Sequence, residues 1–129
     1  MDRMEELLNK PYWIIDILPE RVPENNPGRY FTIEEYWRRN HLPEIRQKHL
    51  SLILKLNCYM ELSMDGEINP PPERIRDRMT EHDVSILLGD ALIVSERGDT
   101  YMTVYNPDDR LLGLIRRLSA AEGLFVWQP

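Results

Sequence analysis

A chain of 129 residues, 42% hydrophobic and 29% charged, has enough apolar material for one core without staples and fits a single domain over residues 1–129. The net charge of −6 argues against a partner held through nucleic-acid phosphates, a mode that needs a concentrated positive surface. One cysteine, Cys58, excludes an internal disulfide framework and fits a reducing cytosol; the opening MDRMEELLNK lacks a signal-peptide apolar run, and nothing approaches the roughly 20 apolar residues that span a bilayer. The expectation is a cytoplasmic protein without a membrane partner.

In chain order, residues 12–18 (YWIIDIL) read as a first strand ended by Pro19, and PERVPENNPG reads as a loop. Thr32 and Glu35 have the spacing of a capping box, with Phe31 and Tyr36 as its staple, so a short helix is expected from Ile33 to near Asn40. Pro43 suits the first turn of a second helix. Ile45, Leu52, Ile53, Leu56, Tyr59 and Met60 carry that helix to residue 62 at helical spacing. MDGEINPPPE breaks the pattern, and ERIRDRM can form a short charged helix.

VSILL and ALIVS flank Gly89-Asp90, a pair suited to a two-residue hairpin in which glycine takes positive φ. A helix from Thr80 over the same residues is the competing reading. ALIVS and TYMTVY form a second hairpin across Glu96-Arg97-Gly98-Asp99. Asn106, Pro107 and two acids signal a helix start; leucines and Ile115 supply its buried face, Gly123 ends it, and LFVW closes the chain as a strand.

These elements predict an α+β, two-layer sandwich: an antiparallel sheet of four to five strands, helices on one face, and a ferredoxin-like β-α-β-β-α-β core order. Alternation sets Trp13, Ile15 and Ile17 against Tyr12, Ile14, Asp16 and Leu18, and Met102 and Val104 against Tyr101, Thr103 and Tyr105. The wholly apolar sets take the helix side. Asp16 is therefore expected on an open, partly apolar face, unburied and beside tyrosine and threonine hydroxyls. The alternative is that VSILL, the ERIRDRM helix or the 19–31 loop folds over this face and makes it a second core.

No pattern names a reaction. Phosphate-binding glycine loops and a GxSxG elbow are absent, His41 and Glu44 lack a third ligand at helical spacing, and capping accounts for the pairs Glu34–Glu35 and Asp108–Asp109. His49 falls on the apolar stripe of the long helix, where a core role is the ordinary one. No catalytic, cofactor-binding or metal residue is assigned. Tyr12, Ile14, Asp16, Leu18, Tyr101, Thr103 and Tyr105, with Phe125 or Trp127, form a candidate partner-binding surface, since exposed aromatic and aliphatic residues together mark such surfaces.

The phrases PYWIIDILPERVP, TYMTVYNPDD and AEGLFVW are similar to those of a group of small uncharacterised cytosolic proteins of gut clostridia. The similarity runs along nearly the whole chain and implies a bacterial, cytosolic setting; no activity carries over. The expected function is a non-enzymatic protein–protein interaction or regulatory module, as a homodimer or with another protein. Arginines, 13 against 3 lysines, are available for carboxylate contacts at its rim, for instance from ERIRDR and Arg116-Arg117. Two rivals stand beside it: a small enzyme with a site around Asp16 near the 19–31 loop, and an acidic, immunity-like protein that neutralises a basic one.

Overall fold

The first helix, α1 (Arg3–Leu7), starts where the Asp2 carboxylate accepts the Glu5 amide hydrogen at 2.9 Å. The computed structural model describes residues 2–20 and 28–129, so most of the predicted 19–31 loop lies outside the described residues. Strand β1 (Tyr12–Asp16) follows, two residues shorter than its apolar run.

Helix α2 (Gly28–Tyr59) is two helical runs meeting at a kink, as expected, with the first starting at Gly28 rather than Ile33. The kink lies at His41, whose φ of −137° and ψ of 23° are not helical. Pro43 explains the bend, because its ring crowds the carbonyl one turn back and it has no N–H to offer. The expected capping box does not form. The helix already starts at Gly28, so Thr32 lies inside it and its hydroxyl donates to the Gly28 carbonyl (3.2 Å), while Glu35 accepts from Arg38 at 2.7 Å.

A short hairpin, β2 (Ser63–Met64) and β3 (Glu67–Ile68), turns on Asp65 and Gly66, with φ of 48° and 92°. Two positive φ values in a row are the type I′ pattern that matches strand twist, and Asp-Gly is its favoured pair. Helix α3 (Pro72–Glu81) buries Ile75 and Met79, four residues apart. Residues 84–88 form strand β4 (Val84–Leu88), joined to β5 (Ala91–Ser95) across Gly89 at φ 59°, so the hairpin reading of this region is the one found.

Strand β6 (Tyr101–Tyr105), helix α4 (Asp109–Ala121) and β7 (Phe125–Trp127) complete the chain. The cap of α4 is Asp108, which accepts from the Leu111 amide at 2.8 Å, rather than Asn106. Asn106 takes φ 58° instead and donates its side-chain amide to the Asp90 carbonyl at 3.0 Å.

The fold is α+β with one antiparallel sheet, ordered β3-β2-β4-β5-β6-β1-β7. Among the described residues seven strands stand where four to five were expected, and the additions are the two-residue strands β2 and β3. Leu52, Ile53 and Leu56 of α2, Ile75 of α3 and Ile115 of α4 meet Ile15, Ile86, Ile93, Met102 and Val104 on one sheet face. Each such side chain contributes roughly 1.5–3 kcal/mol of apolar burial. The other face is not bare. Helix α1 packs against β5, where Leu92 points away from the main core and is nevertheless fully buried, as is Leu7. No helix among the described residues is long and apolar enough to cross a membrane.

Candidate functional site

Register brings the predicted surface residues together. Tyr12 pairs with Tyr105, Ile14 with Thr103 and Asp16 with Tyr101 across β1 and β6, while Ile14 meets Trp127 and Asp16 meets Phe125 across β1 and β7. All of these side chains leave the sheet on the face opposite the main core, as alternation requires. Leu18 lies just past the strand end. Tyr12 and Tyr105 touch, with ring centroids 5.4 Å apart.

Their exposure divides the set. Tyr12 (40%), Tyr101 (37%) and Phe125 (47%) are exposed, and Thr103 and Tyr105 are half-buried. Ile14, Leu18 and Asp16 are buried, which corrects the expectation that Asp16 faces water: only 4% of it is exposed. Part of the reason is local. Oδ1 of Asp16 accepts the amide hydrogen of the next residue, Ile17, at 2.7 Å, folding the carboxylate back over the turn that leads to Pro19. The neighbouring indole of Trp127 approaches it, although the buried Trp127 Nε1 makes no bond of proper hydrogen-bond geometry.

Burial raises the Asp16 carboxyl from 3.8 to about 6, against the lowering effect of the Ile17 amide; the Glu34 carboxylate adds to the rise. Glu34 is itself pushed up by desolvation, and Glu96 by a side-chain hydrogen bond with Asp99. Tyr101 is raised by desolvation first, then by Asp99, Glu96, Asp16 and Glu34 in turn. One exposed ring therefore stands within the field of four carboxylates, contributed by β1, α2 and the β5–β6 connection. Sequence reading placed Asp16 beside Tyr101 but missed Glu34, Glu96 and Asp99, which only the bend of α2 and the hairpin bring near.

The histidines do not join Asp16. His41 sits at the α2 bend against Trp37 (centroids 4.7 Å apart), and His82 is exposed at the end of α3. His49 is fully buried; its Nδ1 lies 2.8 Å from Arg46 Nη1, so the guanidinium donates and the ring accepts there. Burial and then Arg46 lower it from 6.5 to about 3, which keeps it neutral. Arg46 also donates to the Ser95 hydroxyl (2.8 Å) and the Met79 carbonyl (3.1 Å), tying α2 to α3 and β5. This network pairs His49 Nδ1 and Ser95 but leaves the buried His49 Nε2 without a partner, and it offers no base. Among the described residues, no group of three or more His, Cys, Asp or Glu is placed to hold a metal ion.

The arginines of ERIRDR are engaged within the chain: Arg74 and Arg78 both bind Glu67, and Arg76 pairs with Asp77 at 3.1 Å. Cavities lie elsewhere among the described residues. One of about 370 Å³ lies by Arg46 and Arg97; another of about 650 Å³ lies between the end of α2, the β4–β5 turn and the start of α4. Comparison with protein-family models, with curated proteins and with solved structures finds no match.

Proposed function

We propose that this chain is a non-enzymatic interaction module that binds a basic protein surface through the Asp16 end of its second sheet face. The observation carrying the reading is the exposed Tyr101 ring, paired with Asp16 across the sheet and two residues from Asp99, in a field to which Glu96 and Glu34 also contribute. Tyr12 and Phe125 extend the aromatic area on both sides of it. Aromatic rings beside carboxylates suit arginine, whose guanidinium stacks on a ring while its edge donates to acids. Self-association through this end would oppose like charges, so a basic partner fits better than a second copy. This merges the interaction-module and acid-neutralising readings. The order β5-β6-β1-β7 within the sheet supports treating β1, α2, β5, β6, α4 and β7 as a ferredoxin-like core, with β2, β3 and β4 as an extension of it.

The test is an NMR titration with a nona-arginine peptide. Saturable shifts are expected at Tyr101, Thr103 and Phe125, with at least fivefold weaker binding in Tyr101→Ala and steep loss with salt. Affinity should also fall below about pH 6, as Asp16 gains a proton. Shifts spread over remote acids such as Asp77 and Asp109, or binding indifferent to Tyr101→Ala, would overturn the reading.

One observation favours a second reading: a buried carboxyl near 6 has the profile of a general acid. Against it, Oδ1 is committed to the Ile17 amide and no histidine lies beside it.

A further inference from the structure

The larger cavity, about 650 Å³, is within the range of small-molecule sites and lies at the opposite end of the sheet from Asp16. Its walls come from elements distant in sequence. Leu88 and Ala91 flank the β4–β5 turn, Leu111 and Leu114 come from α4, and Met60 follows α2. At the mouth stands Tyr59, the last residue of α2, with its ring two-thirds exposed (67%). The wall is about half apolar, and its apolar part beside an exposed aromatic residue suits an occupant with one flat apolar portion.

The charges decide what else the occupant carries. Arg110 and Arg117 both line the cavity from one side of α4, where residues seven apart share a face with Leu114 between them. Neither forms a salt bridge among the described residues. The two carboxylates on the cavity wall are already engaged. Asp90 meets Arg3 at 2.7 Å, and Asp108 accepts the Leu111 amide hydrogen at the positive end of the α4 dipole. Asp108 keeps its charge in that bond, so with Asp90 paired to Arg3 the balance facing the cavity is one positive charge, Arg110 and Arg117 against Asp108.

We propose that this cavity binds a small organic anion with a planar apolar body, the body against Tyr59, Met60 and Leu114 and the anionic group between Arg110 and Arg117. The proposal stands apart from the sheet-face reading, and its variants lie at the other end of the molecule.

The probe is 1-naphthyl phosphate, followed by NMR titration of the full chain, with 1-naphthol and inorganic phosphate as separate arms. Saturable one-to-one binding is expected, with shifts at Tyr59, Arg110, Leu114 and Arg117. The double variant Arg110→Ala/Arg117→Ala should weaken it at least tenfold, and Tyr59→Ala several-fold. Both variants alter exposed side chains, and their circular dichroism is expected to match the wild type. Naphthol binding as tightly as its phosphate ester would overturn the anion assignment. Inorganic phosphate binding as tightly as the ester would overturn the role of the apolar part of the wall. Absence of saturable binding, shifts centred on the Arg46 and Arg97 cavity, or full affinity in the arginine double variant would overturn the site itself.

Discussion

Replacing Asp16 by asparagine is expected to make the protein steadily more stable relative to wild type as pH rises from acid to neutral, and to expose an acid sensitivity that the wild type hides. In the fold, desolvation holds this carboxyl at about 6, while the unfolded chain returns it to 3.8. The native state therefore binds the proton more tightly, so the Asp16 contribution is whole below 3.8 and is lost as pH rises through 6. At about 1.36 kcal/mol per pH unit, that gap amounts to ~3 kcal/mol. Such a sum is large beside a typical total stability of roughly 5–15 kcal/mol.

His49 acts with the opposite sign over the same window. Its folded value of about 3 lies below the ordinary 6.5, so its contribution is whole above 6.5 and is lost as pH falls toward 3. Between these limits the two slopes oppose one another, and the wild-type profile should be shallow. Asparagine at position 16 keeps an oxygen for the Ile17 amide hydrogen. Its own N–H₂ meets the Trp127 side, a cost independent of pH that moves the whole curve without changing its slope. Urea titrations followed by tryptophan fluorescence from pH 3.5 to 7.5, with linear extrapolation, measure both proteins. The stability of Asp16→Asn relative to wild type should grow by ~3 kcal/mol between pH 3.5 and 7. A difference that stays constant over that range would refute the desolvation argument.

The remaining stability predictions follow from burial and backbone geometry. His49→Ala should cost about 2–4 kcal/mol, because it opens a cavity and leaves a half-buried Arg46 donor without its acceptor; urea denaturation at pH 7.5 reads it, and a loss under ~0.5 kcal/mol would show that the network is slack. Gly89→Ala should cost about 1 kcal/mol through φ of 59° alone, since a Cβ there meets nothing within 4 Å. A thermal melt checks it, and an unchanged midpoint would mean that the turn relaxes.

Local chemistry explains what could be read early. Alternation in YWIID and YMTVY is a property of extended chain, so the partition of Tyr12, Ile14, Asp16, Tyr101, Thr103 and Tyr105 onto one face followed from the residues alone. The Gly89-Asp90 hairpin and the helix after Pro107 were legible for the same reason: their signals act within a few residues. Asp65-Gly66 carries an equally strong turn signal, masked by the prolines that follow it.

Burial was a different matter, because it depends on elements far apart in the chain. Alternation alone puts Asp16 toward water, yet its carboxylate is folded over its own turn and lies beside Trp127 from the last strand, within the field of Glu34 from α2. The Arg46–His49–Ser95 network joins residues up to 49 positions apart, and the Tyr59–Arg110–Arg117 cavity joins the ends of two helices; no periodicity encodes either. Sequence by itself determined which side chains share a strand face and where the chain turns, since those are interactions between near neighbours. Tertiary packing alone decided which of those side chains water reaches, because removing a group from water takes atoms supplied by other parts of the chain.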